Sequence, residues 1–150
     1  MLRNFPSPEV PAASAVADLI ADHEFLRTLL DGIRDAAGEI TARHLSTSPL
    51  LISLLGELST VLGQHLIQET TVLIPLIEES SHRALLEEKL RRMHTQQLRL
   101  LAAVARWLAR DVDAQILARH AAALGEAVRL GLHVEERQVF RELPPRLHPS

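Results

Sequence analysis

Three histidines and one glutamate are spaced as metal ligands would be if the chain were helical. His23, His65 and His94 fall within the apolar stripes of separate helical segments, and Glu69 follows His65 by one turn. In a helix, positions i and i+4 project from one face about 6 Å apart along the axis, so His65 and Glu69 can grip one cation or bridge two. An imidazole or carboxylate buried among leucines is costly without a partner, and a coordinated ion removes that cost. A lone histidine on such a face reads as a core residue satisfied by a neighbouring hydroxyl or carbonyl. Several at one level, with an inward glutamate, point to a metal.

Four segments must position these groups. The first runs from Ser14, a helix N-cap, to Ala37, with Gly38 as its stop and Val16, Leu19, His23, Leu26, Leu30 and Ile33 along one face. The second opens at Ser48-Pro49 and carries Leu51, Leu55, Leu58, Leu62, His65, Glu69 and Leu73 before Pro75 kinks or ends it. The third extends from near Ser81 to about Arg110, with Leu86, Leu90, His94, Gln97, Leu101, Val104 and Leu108 inward. The fourth begins after Asp113 and stops at Pro144-Pro145, its core side formed by Ile116, Leu117, Leu124, Ala127, Val128, Leu130 and Val134.

Long helices with short connections predict an all-α, antiparallel up-down-up-down four-helix bundle over residues 14–145, with 1–13 a flexible leader and 146–150 a tail. Counted from one pole, His23, Glu69 and His94 lie roughly 9 to 13 residues in, about 13 to 20 Å, so they can share a level. His120 faces inward by phase but lies towards the other pole, while His44, His82 and His148 fall in connections or the tail. Gln97, near one turn from His94, is either a hydrogen-bond partner of a ligand or a polar spacer. Asp22, Glu24, Glu136 and Arg137 read as solvated faces.

Composition narrows the chemistry. The 150 residues suffice for one domain, and a chain 47% hydrophobic but only 3% aromatic draws its core from leucine and alanine, as helices do. A net charge of −3 with arginines scattered among acids gives no basic face for nucleic acid. The absence of cysteine excludes disulfides, thiolate metal sites and cysteine nucleophiles, and the absence of tyrosine excludes a tyrosyl radical or ligand. The N-terminus lacks the apolar core of a signal peptide, and VLIPLI is broken by Pro75 and followed by EESSHR, so no membrane span is expected. The expectation is a soluble, cytoplasmic protein.

The stretches DHEFLRTLL around His23, HLIQETTVLIPLI from His65, LRRMHTQQLRLL around His94 and HVEERQVFREL from His133 resemble the hemerythrin family, in particular the bacterial hemerythrin-like HHE cation-binding domains. The resemblance spans about residues 14 to 145. It implies that His23, His65, Glu69 and His94 bind a non-haem di-iron centre, with Glu69 as a bridging carboxylate. Aligned without gaps through EERQVF, Glu135 takes the last-helix carboxylate position and Gly131 stands where the family has its final histidine. At about 100° per residue, His133 points away from the stripe of Ile116, Leu124, Ala127 and Val134, whereas Gly131 and Glu135 lie on or beside it. His133 becomes a ligand only if a π-bulge rotates the helix locally.

The function implied is a metalloprotein that binds or activates O2, peroxide or NO, with a small organic substrate as a further partner. If it is an enzyme, it is a non-haem di-iron oxidoreductase. A missing histidine implies an open coordination position and moves the expectation from reversible O2 carriage towards reaction or substrate binding. The alternatives are a sensor or iron-handling module whose metal, iron or zinc, is structural or regulatory, and a metal-free bundle that binds a partner helix or apolar ligand.

Overall fold

A computed structural model describes residues 9–77, 83–110 and 113–143, which are helical apart from short connections. Helix α1 spans Glu9–Arg43. Helix α2 spans Pro49–Gln68 and continues through a π-turn, Glu69–Leu73, into Ile74–Ile77. Helix α3 is Arg83–Leu108, and α4 is Ala114–Val134, extended by a second π-turn, Glu135–Val139, and a 3-10 turn, Phe140–Glu142. Helix α1 packs against α2 and α4, and α3 packs against α4 and, more lightly, α2, which closes the four into a bundle. Ser81, His82, Pro144, Pro145 and His148 lie outside the described residues.

Two of the expected caps are formed. The Ser48 hydroxyl accepts the Leu51 amide at 3.2 Å, with Pro49 in the first turn, and Asp113 Oδ1 accepts the Gln115 amide at 3.1 Å. Helix α1, however, neither starts at Ser14 nor stops at Gly38. It begins at Glu9, where Pro11 is tolerated because a first-turn N–H has no helical acceptor, and it continues because Ile40 beyond Gly38 is fully buried. The true stop is His44 at φ 52°, with the Leu45 amide donating to Ile40 O at 3.1 Å, an αL ending not reserved to glycine. Gln115 Nε2 donates to the carbonyls of Ile40 and Leu45 at 2.7 and 3.0 Å and so ties that end to the start of α4.

Pro75 does not end α2 either. The missing proline N–H falls just after the π-turn, where the wider turn has already changed the hydrogen-bond register, and the helix runs on to Ile77. By length and composition alone the uninterrupted stretch Pro49–Ile77 is long and apolar enough to cross a membrane, a test that the core helix of a bundle also passes. Its inner face is packed within the bundle and carries His65 and Glu69 as well as Leu51, Leu55, Leu58 and Leu62. On α4, Ile116 and Leu130 stand exposed rather than inward. The core face there is made instead by small residues, Ala118, Ala121 and Gly125, beside Leu117, Leu124 and Val128, so a count of bulky residues misplaces its centre.

The apolar interior is divided. One cluster contains Leu30, Ile33, Leu55, Leu58 and Leu124, and the other contains Leu19, Leu73, Ile77, Leu90 and Phe140. The buried polar groups, His23, His65, Glu69, His94, Gln97 and Glu135, come from positions between these two sets on their helices.

Candidate metal centre

Five side chains from all four helices meet in that polar layer. His23 on α1, His65 and Glu69 on α2, and Glu135 at the end of α4 are at most 2% exposed, and His94 on α3 is 8% exposed. His23 Nε2 stands 3.0 Å from Glu135 Oε2 and 3.8 Å from Glu69 Oε1. His65 Nε2 is in direct contact with Glu69 Oε1 and lies 3.9 Å from Glu135 Oε2. His94 Nε2 meets the other oxygens of both carboxylates, Glu69 Oε2 at 2.5 Å and Glu135 Oε1 at 4.0 Å. The His23 and His65 rings pack edge to face, 4.9 Å between centroids.

This arrangement fits a cation better than it fits a hydrogen-bond network. His23 Nε2, His65 Nε2, Glu69 Oε1 and Glu135 Oε2 are all buried, and none has a hydrogen-bond partner of acceptable geometry. Buried polar atoms are rarely left so, and a shared ion satisfies all of them together. One donor atom from each of these four residues lies within 4.8 Å of the others. Atoms bound to one ion at about 2.1 Å stand roughly 3 to 4 Å apart, so small side-chain movements close the set.

Carboxylates on neighbouring helices face the outer ring nitrogens, with a hydrogen bond at His23 and none at His65 Nδ1. Glu136 Oε1 is 3.1 Å from His23 Nδ1, and its Oε2 accepts from Arg27 Nη2 at 2.5 Å. Asp22 Oδ2 stands 3.5 Å from His65 Nδ1. A carboxylate behind an imidazole fixes the ring and presents Nε2 to the centre. Glu136, read from the sequence as solvated, therefore supports the site, and Asp22, read the same way, lies beside it as a nearby negative charge. Each adjoins an inward residue in sequence but reaches a histidine on another helix, which no spacing within one helix reveals.

The charges interlock. Burial alone would lower the His23 and His65 pKa values, but Glu135 and Glu69 beside them outweigh it and push His23 up to about 9 and His65 up to about 10. Burial would raise Glu69, yet His23, His65 and His94 hold it well below the carboxylate range. Burial raises Glu135, and the adjacent Glu69 carboxylate adds to the rise against the pull of His23 and His65. Glu136 is lowered, burial being outweighed by Arg27 and His23.

Of the six candidate ligands read from the sequence, the structure brings together His23, His65, Glu69, His94 and Glu135. It does not bring in His133, whose side chain is exposed. A π-turn is present in α4, but it begins at Glu135, after His133, and so leaves that residue on its outward phase. Nor is there an empty space over Gly131. A Cβ added there would collide with Nε2 of the buried Gln97 side chain, which occupies that volume.

Fold and polar layer together define a helical bundle with a histidine and carboxylate cation site. The Hemerythrin HHE cation binding domain model matches residues 14–143, and the chain belongs to that family. No curated protein and no solved structure matches the chain.

Proposed function

We propose that this protein is a non-haem iron protein that holds two irons among His23, His65, Glu69, His94 and Glu135 and binds or activates a small ligand, O2, peroxide or NO. The observation that carries this reading is the division of each carboxylate. Glu69 turns Oε1 to His65 and Oε2 to His94, and Glu135 turns Oε2 to His23 and Oε1 towards His94. Two carboxylates spanning two groups of imidazoles suit a bridged pair of cations, and inward glutamate and histidine on facing bundle helices are the donor set of di-iron carboxylate proteins. Iron bound there would supply redox chemistry and coordination positions for an exogenous ligand.

The chain's own residues select the conditions. Leu19, Leu73, Leu90 and Phe140 form an apolar wall on one side of the polar layer, with the Phe140 ring 5.5 Å from that of His23, and keep bulk water from it. The His94 side chain is 10% exposed against 0% for His23 and Glu69 and 2% for His65, so a small ligand approaches most directly beside His94. Glu136 holds the outer nitrogen of His23 at 3.1 Å, which keeps that ring's Nε2 free to donate to a cation, while Asp22 places a negative charge 3.5 Å from His65 Nδ1 without a hydrogen bond.

The test is metal analysis with an absorption spectrum of aerobically purified protein, before and after azide. About two irons per chain and a near-ultraviolet band that azide shifts are expected. A colourless protein containing only zinc would replace the reading with a regulatory or structural site.

A further inference from the structure

Gln97 and Gly131 fit each other in a way that the polar layer makes consequential. Gln97 is 3% exposed and lies on the same buried face of α3 as His94, three residues away. Gly131 is buried on α4 one turn before Glu135. Any side chain at 131 would overlap the Gln97 amide, whose Nε2 lies where the Cβ would be. The amide can sit there only because residue 131 is glycine, so it occupies the space that a side chain on α4, one turn before Glu135, would take.

The two sides of the layer are correspondingly unequal. On one side, two imidazoles, His23 and His65, share an oxygen of each carboxylate, and four donors fall within 4.8 Å. On the other, His94 has Glu69 Oε2 at 2.5 Å and Glu135 Oε1 only at 4.0 Å. The next polar group along its own helix face is the neutral Gln97 amide.

We infer that on the His94 side the Gln97 amide takes the place that a side chain at 131 would fill, and that the two cation positions therefore differ in affinity. The His23–His65 position is tight and the His94 position is weak. A neutral amide is a poorer partner for a cation than imidazole or carboxylate, and groups that support a metal site in this manner change affinity by roughly 10–100-fold when removed. The inference rests on the two-cation reading given above and specifies which residues make its halves unequal.

Anaerobic titration of the metal-free protein with ferrous iron tests it. The native chain is expected to take up one equivalent tightly and a second more weakly, in two resolved steps. Gln97→Leu should keep the first and weaken the second by roughly 10–100-fold, while Gln97→Glu, which supplies a charged oxygen from the same place, should keep both and tighten the second. Gly131→His alone must first displace the amide, so it should gain less than Gly131→His combined with Gln97→Leu, where the space is already clear. The unfolding midpoints of the metal-free variants separate a metal effect from a packing one: a purely structural glutamine would lower the midpoint in Gln97→Leu and leave the second equivalent in place. Two equivalents bound by Gln97→Leu as by the native chain, or equal gains in the single and double histidine variants, would overturn the inference while leaving the two-cation reading intact. No iron uptake by the native chain would overturn both.

Discussion

Glu69 joins the histidines, since one of its oxygens faces His65 and the other faces His94, and its environment determines how protons and metal compete. In the metal-free protein His23 titrates near 9 and His65 near 10, against about 6.5 in an unfolded chain. Both folded values are raised, so the stability their protonation contributes is fully present below about pH 6.5 and is lost as pH rises through 9 to 10. A cation needs the neutral imidazoles and works in the opposite direction, so its affinity rises over the same window. Calorimetry in buffers of different ionisation enthalpy at pH 7 should record about two protons released by His23 and His65 on metal binding. Release of none would contradict the charge assignment. Glu136→Gln should weaken metal binding by roughly 10–100-fold by loosening His23, and unchanged affinity would show that Glu136 serves only Arg27. Four of the inward groups were legible as interruptions of an apolar stripe, and Glu135 by phase and resemblance. Asp22 and Glu136 were not, because their partners lie across helices. Gln97 was seen as inward, but its contact with Gly131 depends on a close approach of α3 and α4 that no single-helix pattern encodes.

At the scale of the helices, the two π-turns explain a spacing that a plain α-helix cannot hold. His65, Glu69, Leu73 and Ile77 are all buried at successive intervals of four, as are Gly131, Glu135, Val139 and Leu143. Twelve residues at about 100° each overshoot a whole number of turns by about 120°, so an unbroken α-helix would swing the last of each series off the core. One extra residue in a wide turn removes most of that drift, and each π-turn starts at a carboxylate of the polar layer, Glu69 or Glu135. The signal is in the sequence as a sustained four-residue repeat, but Gly38 reads as a stop and Pro75 as a kink or an end, while the helices run past both. Deleting the exposed Thr71 should leave Leu73 and Ile77 inward at ordinary α spacing and preserve folding. Inserting an alanine after Thr71 should rotate both outward and cost about 3 to 6 kcal/mol, the burial of two aliphatic side chains. Denaturant unfolding of the two variants checks this, and equal stability would refute the phase argument. At the other end of α2, Ser48→Ala should cost about 1 kcal/mol through the lost cap and leave metal binding unchanged.

For the molecule as a whole, the polar layer lies between two apolar clusters and draws ligands from every helix, so a bound metal cross-links the bundle at the level where its hydrophobic packing is interrupted. A ligand that binds only the folded state stabilises it by about 2.7 kcal/mol at one hundred times its dissociation constant, so chelation should lower the melting temperature of the native protein. In His65→Ala it should have much less effect, and an equal drop in both would place the stabilising metal elsewhere. The bundle itself was readable from four amphipathic segments and their short connections. The division of its core was not, because both clusters use the same leucines on the same stripes and only the packed structure separates them. Whether His23, His65, Glu69, His94 and Glu135 together hold metal is decided by the metal retained after exhaustive dialysis in the native chain, His65→Ala, Glu69→Ala and His133→Ala. Retention is expected in the native chain and His133→Ala, and loss of most of the metal from the other two. Full retention in both His65→Ala and Glu69→Ala would contradict that assignment.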